Sequence, residues 1–333
     1  MNIPTESFYA DSMAFIGLQG QPPKFETTAR PQLALAHVTS VPPMIKDVTS
    51  ALKAHKAFAQ IALANPGVKE IRTTDDLNGM SSINTGLLFG LQHAPESLTY
   101  SNVYEFSNAG VRSMGLAYEG DTEYGGGFKS GGRLKGRGEK LIEWMAKTDI
   151  ILDLSHAGHS TARGALRFIA QERLPVKPML SHSACESVFN HQRNVPDDIL
   201  RGVDRAGGYV GIPLISFYLG AQGSDPLTEF ACHITHALSV VGKGKVGIGS
   251  DCNHLNMTME QAQAHFDKMV AMLKTGGTFG EYFPDRPPEL IKHGGNMFKV
   301  IEHTLSTGNT LMFDSGILGR NFKDFLSRSL PQV

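Results

Sequence analysis

Residues 149–182 read DIILDLSHAGHSTARGALRFIAQERLPVKPMLSH. Two short apolar runs, 149–156 and 177–182, each end in Ser-His. A helical pattern at 160–172, opened by a Ser/Thr cap signal, joins them. Runs that are apolar nearly throughout suit parallel strands covered on both faces. Working outward, further strand-like runs lie at 12–17, 33–40, 86–92, 111–118, 208–214 and 245–251. Helical patterns fall at 43–63, 136–147, 196–206, 226–241 and 257–274, and a C-terminal helix is expected at about 287–305. Alternating strands and helices of this number favour an α/β fold, a (β/α)8 TIM barrel, over an open sheet. No Pro/Gly/Ser linker divides residues 1–333, so one domain is expected.

Composition narrows the function classes. Of 333 residues, 41% are hydrophobic and 19% charged, and the formal net charge is -1. Such a balance offers no global field for nucleic acid or an acidic membrane, and neither is expected as a partner. The N-terminal MNIPTESFYADSM has neither a basic start nor an apolar run, so it does not read as a signal peptide. Cys185, Cys232 and Cys252 are sparse and lack CxxC spacing, which points to a reducing cytoplasm rather than a disulfide framework. The Gly-rich segment 120–138 is too long for a simple connection and reads as a mobile or substrate-covering loop, or as a plain solvent loop.

The chemistry concentrates at the C-terminal ends of the strand-like runs, where barrels build their sites. Gln92, Tyr118, His156, His182 and Asp251 share that edge. Two histidines on adjacent strands, with a carboxylate, suggest a metal or acid–base site. Arg193, in HQRNVPDD, is placed to hold a substrate carboxylate, or else to pair with Asp197 or Asp198. His93, His159, His191 and His254 are reserve candidates, His254 first among them. Glu119, Asp121 and Glu123 are either a solvated acidic loop or a recognition site for a cationic group.

ILDLSH, LSHSACESVFNHQRNVPDDIL, GGYVGI, VGIGSD and GGNMFKVIE, in that order, resemble the renal (membrane) dipeptidase family of metallopeptidases. The resemblance is strong from about 110 to 305. It implies a (β/α)8 barrel whose two zinc ions cleave dipeptides, and a homodimer. It assigns metal binding to His156 and His182, substrate binding to Arg193, and the general base to Asp251. It also implies departures. The His-x-Asp pair of the first strand falls at Leu18 and Gly20, the bridging glutamate at Gln92, and a substrate-gripping histidine at Tyr118. The expectation is a dipeptidase-like hydrolase of a dipeptide or small amide. It would hold at most one zinc, on His156 and His182 with Gln92 as a weak ligand, and Tyr118 and Arg193 would orient the substrate. The alternative is a metal-free barrel that binds a small metabolite.

Overall fold

A computed structural model describes residues 8–15, 33–80, 84–220, 226–253 and 316–332, with 260, 264 and 267 besides. Leu18, Gly20, His254, the helix expected at 287–305 and most of 257–274 lie outside the described residues.

The strands are β1 (Tyr9–Phe15), β2 (Leu33–Thr39), β3 (Val68–Glu70), β4 (Thr85–Leu91), β5 (Val111–Gly115), β6 (Ile151–Asp153), β7 (Pro178–Leu180), β8 (Tyr209–Ile212), β9 (Val246–Ile248) and β10 (Cys252–Asn253). Hydrogen bonds link them in the order β10-β1-β2-β4-β5-β6-β7-β8-β9, with β3 beside β4 off that path. All pairings are parallel. β9 and β10 are two halves of one strand. The first half pairs with β8 and the second with β1, and this brings the sheet round into a barrel. The helices are α1 (Val48–Leu63), α2 (Thr74–Asn78), α3 (Tyr100–Asn108), α4 (Gly136–Lys147), α5 (His159–Glu172), α6 (Asp197–Arg205), α7 (Ser216–Leu219), α8 (Pro226–Val241) and α9 (Asn321–Ser327). Among the described residues none is long and apolar enough to cross a membrane.

The expected barrel is therefore observed, with shifted edges. β1 starts and ends earlier than the 12–17 run. α1 starts at Val48 because Asp47 caps it, accepting hydrogen bonds from the Thr49 and Ser50 amides. β3 is too short to leave a pattern in the sequence.

Two apolar layers hold the barrel. One lies between sheet and helices. The other fills the lower interior with Leu35, Leu88, Ile151, Met179 and Tyr209, closed from below by Phe322 and Phe325 of α9. Two residues further along these strands the interior turns polar. His37 follows Leu35, Gly90 follows Leu88, Asp153 follows Ile151 and Ser181 follows Met179, since alternate residues face one side. His37 sits buried with Nδ1 2.7 Å from the Ser12 carbonyl and Nε2 2.5 Å from Ser113 Oγ. Gly90 makes that layer fit. A Cβ there would lie 2.1 Å from Ser113 Oγ and 2.2 Å from His37 Nε2. Gly90→Ala is expected to cost about 1–3 kcal/mol through overpacking, measured by denaturant unfolding; an unchanged midpoint would show that the layer yields.

Candidate active site

The polar layer supports the mouth above it. Asp153 ends β6 and is buried. Its Oδ1 accepts the Ser155 amide (3.0 Å) and hydroxyl (2.8 Å), and its Oδ2 accepts the Ser181 hydroxyl (2.5 Å). With its proton given to Asp153, Ser181 Oγ becomes the acceptor for His182 Nδ1–H at 2.7 Å. The His182 amide donates to Ser155 Oγ at 3.0 Å. This chain fixes the His182 ring and leaves Nε2 with a free lone pair facing the mouth.

That lone pair meets His156. The two Nε2 atoms are 2.9 Å apart, so His156 donates and His182 accepts when both rings are neutral. His156 Nδ1 is buried with no hydrogen-bond partner. Burial holds both imidazoles well below the ordinary histidine range, and the Arg193 guanidinium pushes in the same direction. Tyr118 stacks on His156, ring centroids 4.0 Å apart and planes at 18°. Its phenol is pushed up by burial and by the Asp251 carboxylate.

Arg193 is not paired with the aspartates beside it in sequence. Asp198 binds Arg163 at 2.6 Å, and Asp197 binds His236 at 2.8 Å. Arg193 instead turns inward, buried, and donates to the carbonyls of Ser155 and, at 3.4 Å, His182. Its guanidinium lies between the rings of Phe128 (5.6 Å) and Tyr218 (5.7 Å), and its Nε has no partner. It also donates to the Ser183 hydroxyl at 3.5 Å. A buried cation with no carboxylate partner among the described residues is suited to an anionic ligand.

Asp251 lies in the joint between β9 and β10 with a left-handed backbone, φ 58°. Its amide donates to the Met13 carbonyl at 2.8 Å. Beside it the Ser250 amide donates to Asp11 Oδ1, also at 2.8 Å. Burial pushes the Asp251 carboxyl up to about 7, against the opposing pull of Arg193. A carboxyl poised there can both take and return a proton near neutral pH.

On the far side, Gln92 follows β4 and is buried, its amide nitrogen 3.6 Å from Met13 Sδ. β1 ends at Phe15, before Leu18 and Gly20, which lie outside the described residues. His93 is buried beside Tyr118 with Nε2 unpartnered, and burial takes its pKa to about 4. His159 and His191 serve the backbone of the 191–194 turn: His159 contacts the Asn194 carbonyl and His191 accepts the Arg193 amide.

The sequence alone did not single out Phe128, Tyr218 or Asp153. Phe128 lies in the Gly-rich segment, which is pinned to its surroundings and brings this ring to the mouth. Gly127 bridges to Ala157, Tyr124 donates to the Pro95 carbonyl at 2.7 Å, and Phe128 packs 5.9 Å from His156. The acidic group in that segment is already matched. Glu119 pairs with Lys129 at 3.1 Å, Glu123 with Arg137 at 2.7 Å, and Asp121 accepts the Ser130 hydroxyl. Cys185 and Cys252 are buried thiols, and burial pushes Cys185 up to about 12.

Paired imidazoles, a carboxylate and a guanidinium thus gather at the C-terminal mouth of a parallel barrel. Solved structures agree on the fold. An amidohydrolase from Pseudomonas aeruginosa superposes with a TM-score of 0.76 at 20% identity, covering 97% of each chain. A metallo peptidase from Rhodobacter sphaeroides, liganded with a phosphinate mimic of the dipeptide L-Ala-D-Ala, gives 0.70 at 16% identity, covering 97% of this chain and 99% of that one. The profile of the membrane dipeptidase family (peptidase family M19) matches residues 24–280, and the chain belongs to that family. It is similar to dipeptidase aclJ of Aspergillus oryzae, 29% identical over 226 residues, which are 64% of this chain and 50% of that protein. It is similar also to an uncharacterized dipeptidase of Schizosaccharomyces pombe, 32% identical over 183 residues, 52% of this chain and 42% of that one. The chain thus spans half or less of the length of these curated relatives.

Proposed function

We propose that this protein hydrolyses the amide bond of a dipeptide or similar small amide, using at most one divalent metal ion. The observation that carries the reading is the convergence of His156 and His182 Nε2 atoms, 2.9 Å apart, beside a buried Arg193 with a free Nε. In this reading Arg193 takes the substrate carboxylate, and Tyr118 and Phe128 wall the scissile amide. Asp251 removes a proton from water as the hydroxyl adds to the carbonyl carbon. The C–N bond then breaks, and Asp251 returns the proton to the leaving amine.

The residues fit one ion. His182 Nε2 is presented by the Nδ1–Ser181 contact, the usual second partner of a ligating imidazole, and His156 Nε2 faces it. They do not match a pair of ions. Gln92 is neutral, and among the described residues no group of three His, Cys, Asp or Glu could hold a metal. When bound, zinc would polarise the carbonyl and lower the pKa of its water. Protein purified without chelators should contain no more than one zinc per chain by elemental analysis. Added zinc should raise the melting temperature of the wild type but not of His182→Ala. Zinc near zero before and after addition would remove the ion from this reading.

A second reading is a metal-free barrel binding a small metabolite. The direct His156–His182 hydrogen bond and the Met13–Gln92 contact favour it, since both satisfy the groups without an ion.

A further inference from the structure

The two sides of the mouth differ in charge. One carries Arg193, buried and held by carbonyls and aromatic faces. Among the described residues the other is neutral: Gln92, backed by Met13, and His93, which lies beside Tyr118. A dipeptide is a zwitterion, and its ammonium brings three donors and a charge that is costly to bury unmatched. Among the described residues the carboxylates around the mouth are already committed. Asp153 is bound by Ser155 and Ser181, Asp11 by Ser250 and the Met13 amide, and Glu119 by Lys129. Asp251 remains, but an ammonium paired with it would hold it ionised and oppose the proton it must accept from water.

We propose that this mouth selects N-acylated amino acids over free dipeptides. The carboxylate lies on Arg193, and an uncharged acyl group lies against Gln92 and Tyr118, where a dipeptide would bring its ammonium. This rests on the hydrolytic reading for the role of Asp251. Water adds to the acyl carbon, the acyl C–N bond breaks, the hydroxyl stays on carbon and the proton passes to nitrogen. The products are a carboxylic acid and a free amino acid.

The test is calorimetric titration of the full chain with N-acetylalanine and with alanylalanine, both enantiomeric series, followed by assays of their cleavage. N-acetylalanine should bind at least about tenfold more tightly, the worth of one unmatched charged hydrogen-bonding group. Gln92→Glu, which restores a carboxylate to the neutral side, should narrow or reverse that ratio by a similar factor. If that variant does not fold by circular dichroism, the wild-type ratio decides alone. Equal or tighter binding of the dipeptide, or binding of neither compound, overturns the proposal. Cleavage of the dipeptide at the lower KM overturns the selectivity and leaves the hydrolytic reading standing. Preferred binding of the N-acetyl compound without cleavage removes the hydrolytic reading and leaves the selectivity.

Discussion

Asp251→Asn should lower kcat/KM for amide hydrolysis by about a hundred- to ten-thousand-fold, the usual worth of a positioned general base. Asparagine has nearly the same shape, tolerates the left-handed backbone, and keeps the amide that donates to the Met13 carbonyl. The loss should therefore come with an intact fold. Wild-type kcat/KM should rise with pH and level off above an inflection near 7, where Asp251 loses its proton. Stability carries the opposite slope. The folded carboxyl is raised to about 7 from an ordinary 3.8, so between those values the folded state binds more protons than the unfolded one. Its contribution to stability is present at low pH and lost as pH rises through that window. Unfolding free energies of wild type and Asp251→Asn, measured from pH 4 to 8, isolate this term from the histidines. A pH-independent difference, or retained hydrolysis, would remove Asp251 from the role.

Arg193→Gln should raise KM about a hundredfold, because charge-assisted hydrogen bonds to a substrate carboxylate are each worth about 1.5–3 kcal/mol. It should also shift the kinetic inflection above 7, since the guanidinium is what holds the Asp251 carboxyl down against burial. Arg193→Lys separates the two effects. The charge remains and the inflection stays near 7, but an ammonium lacks the planar fork and KM still rises. A variant with unchanged KM would show that the carboxylate is bound elsewhere.

Much of this mouth was legible because strand ends are marked in sequence. The runs ending at His156, His182 and Asp251 are short and apolar, and each gives way abruptly to polar residues. Arg193 was legible as a candidate but not in its surroundings, since its neighbours Asp197 and Asp198 turn to His236 and Arg163 from other helices. The polar layer was not legible. His37, Asp153 and Ser181 interrupt apolar runs in the way surface residues do, and only the barrel brings their partners together across long sequence separations. Phe128 was hidden for a related reason. Its glycine-rich surroundings suggested a free loop, whereas Gly125, Gly126 and Gly127 are buried so that the backbone can pack closely. The first strand was read too late because Asp11 looks like a surface residue, yet it is buried and accepts the Ser250 amide from the other end of the sheet.

The divided last strand has a consequence for how the molecule assembles. The Ser250–Asp11 contact spans 239 positions of sequence, so pairing the two edges is a strongly non-local step, of the kind that folds slowly. Such a join has a long loop to close and few local contacts to guide it. Asp251 is part of that join. The barrel thus finishes its ring and positions Asp251 in the same event, and a chain stalled just short of closure would have most of its strands but, on the proposed reading, no general base.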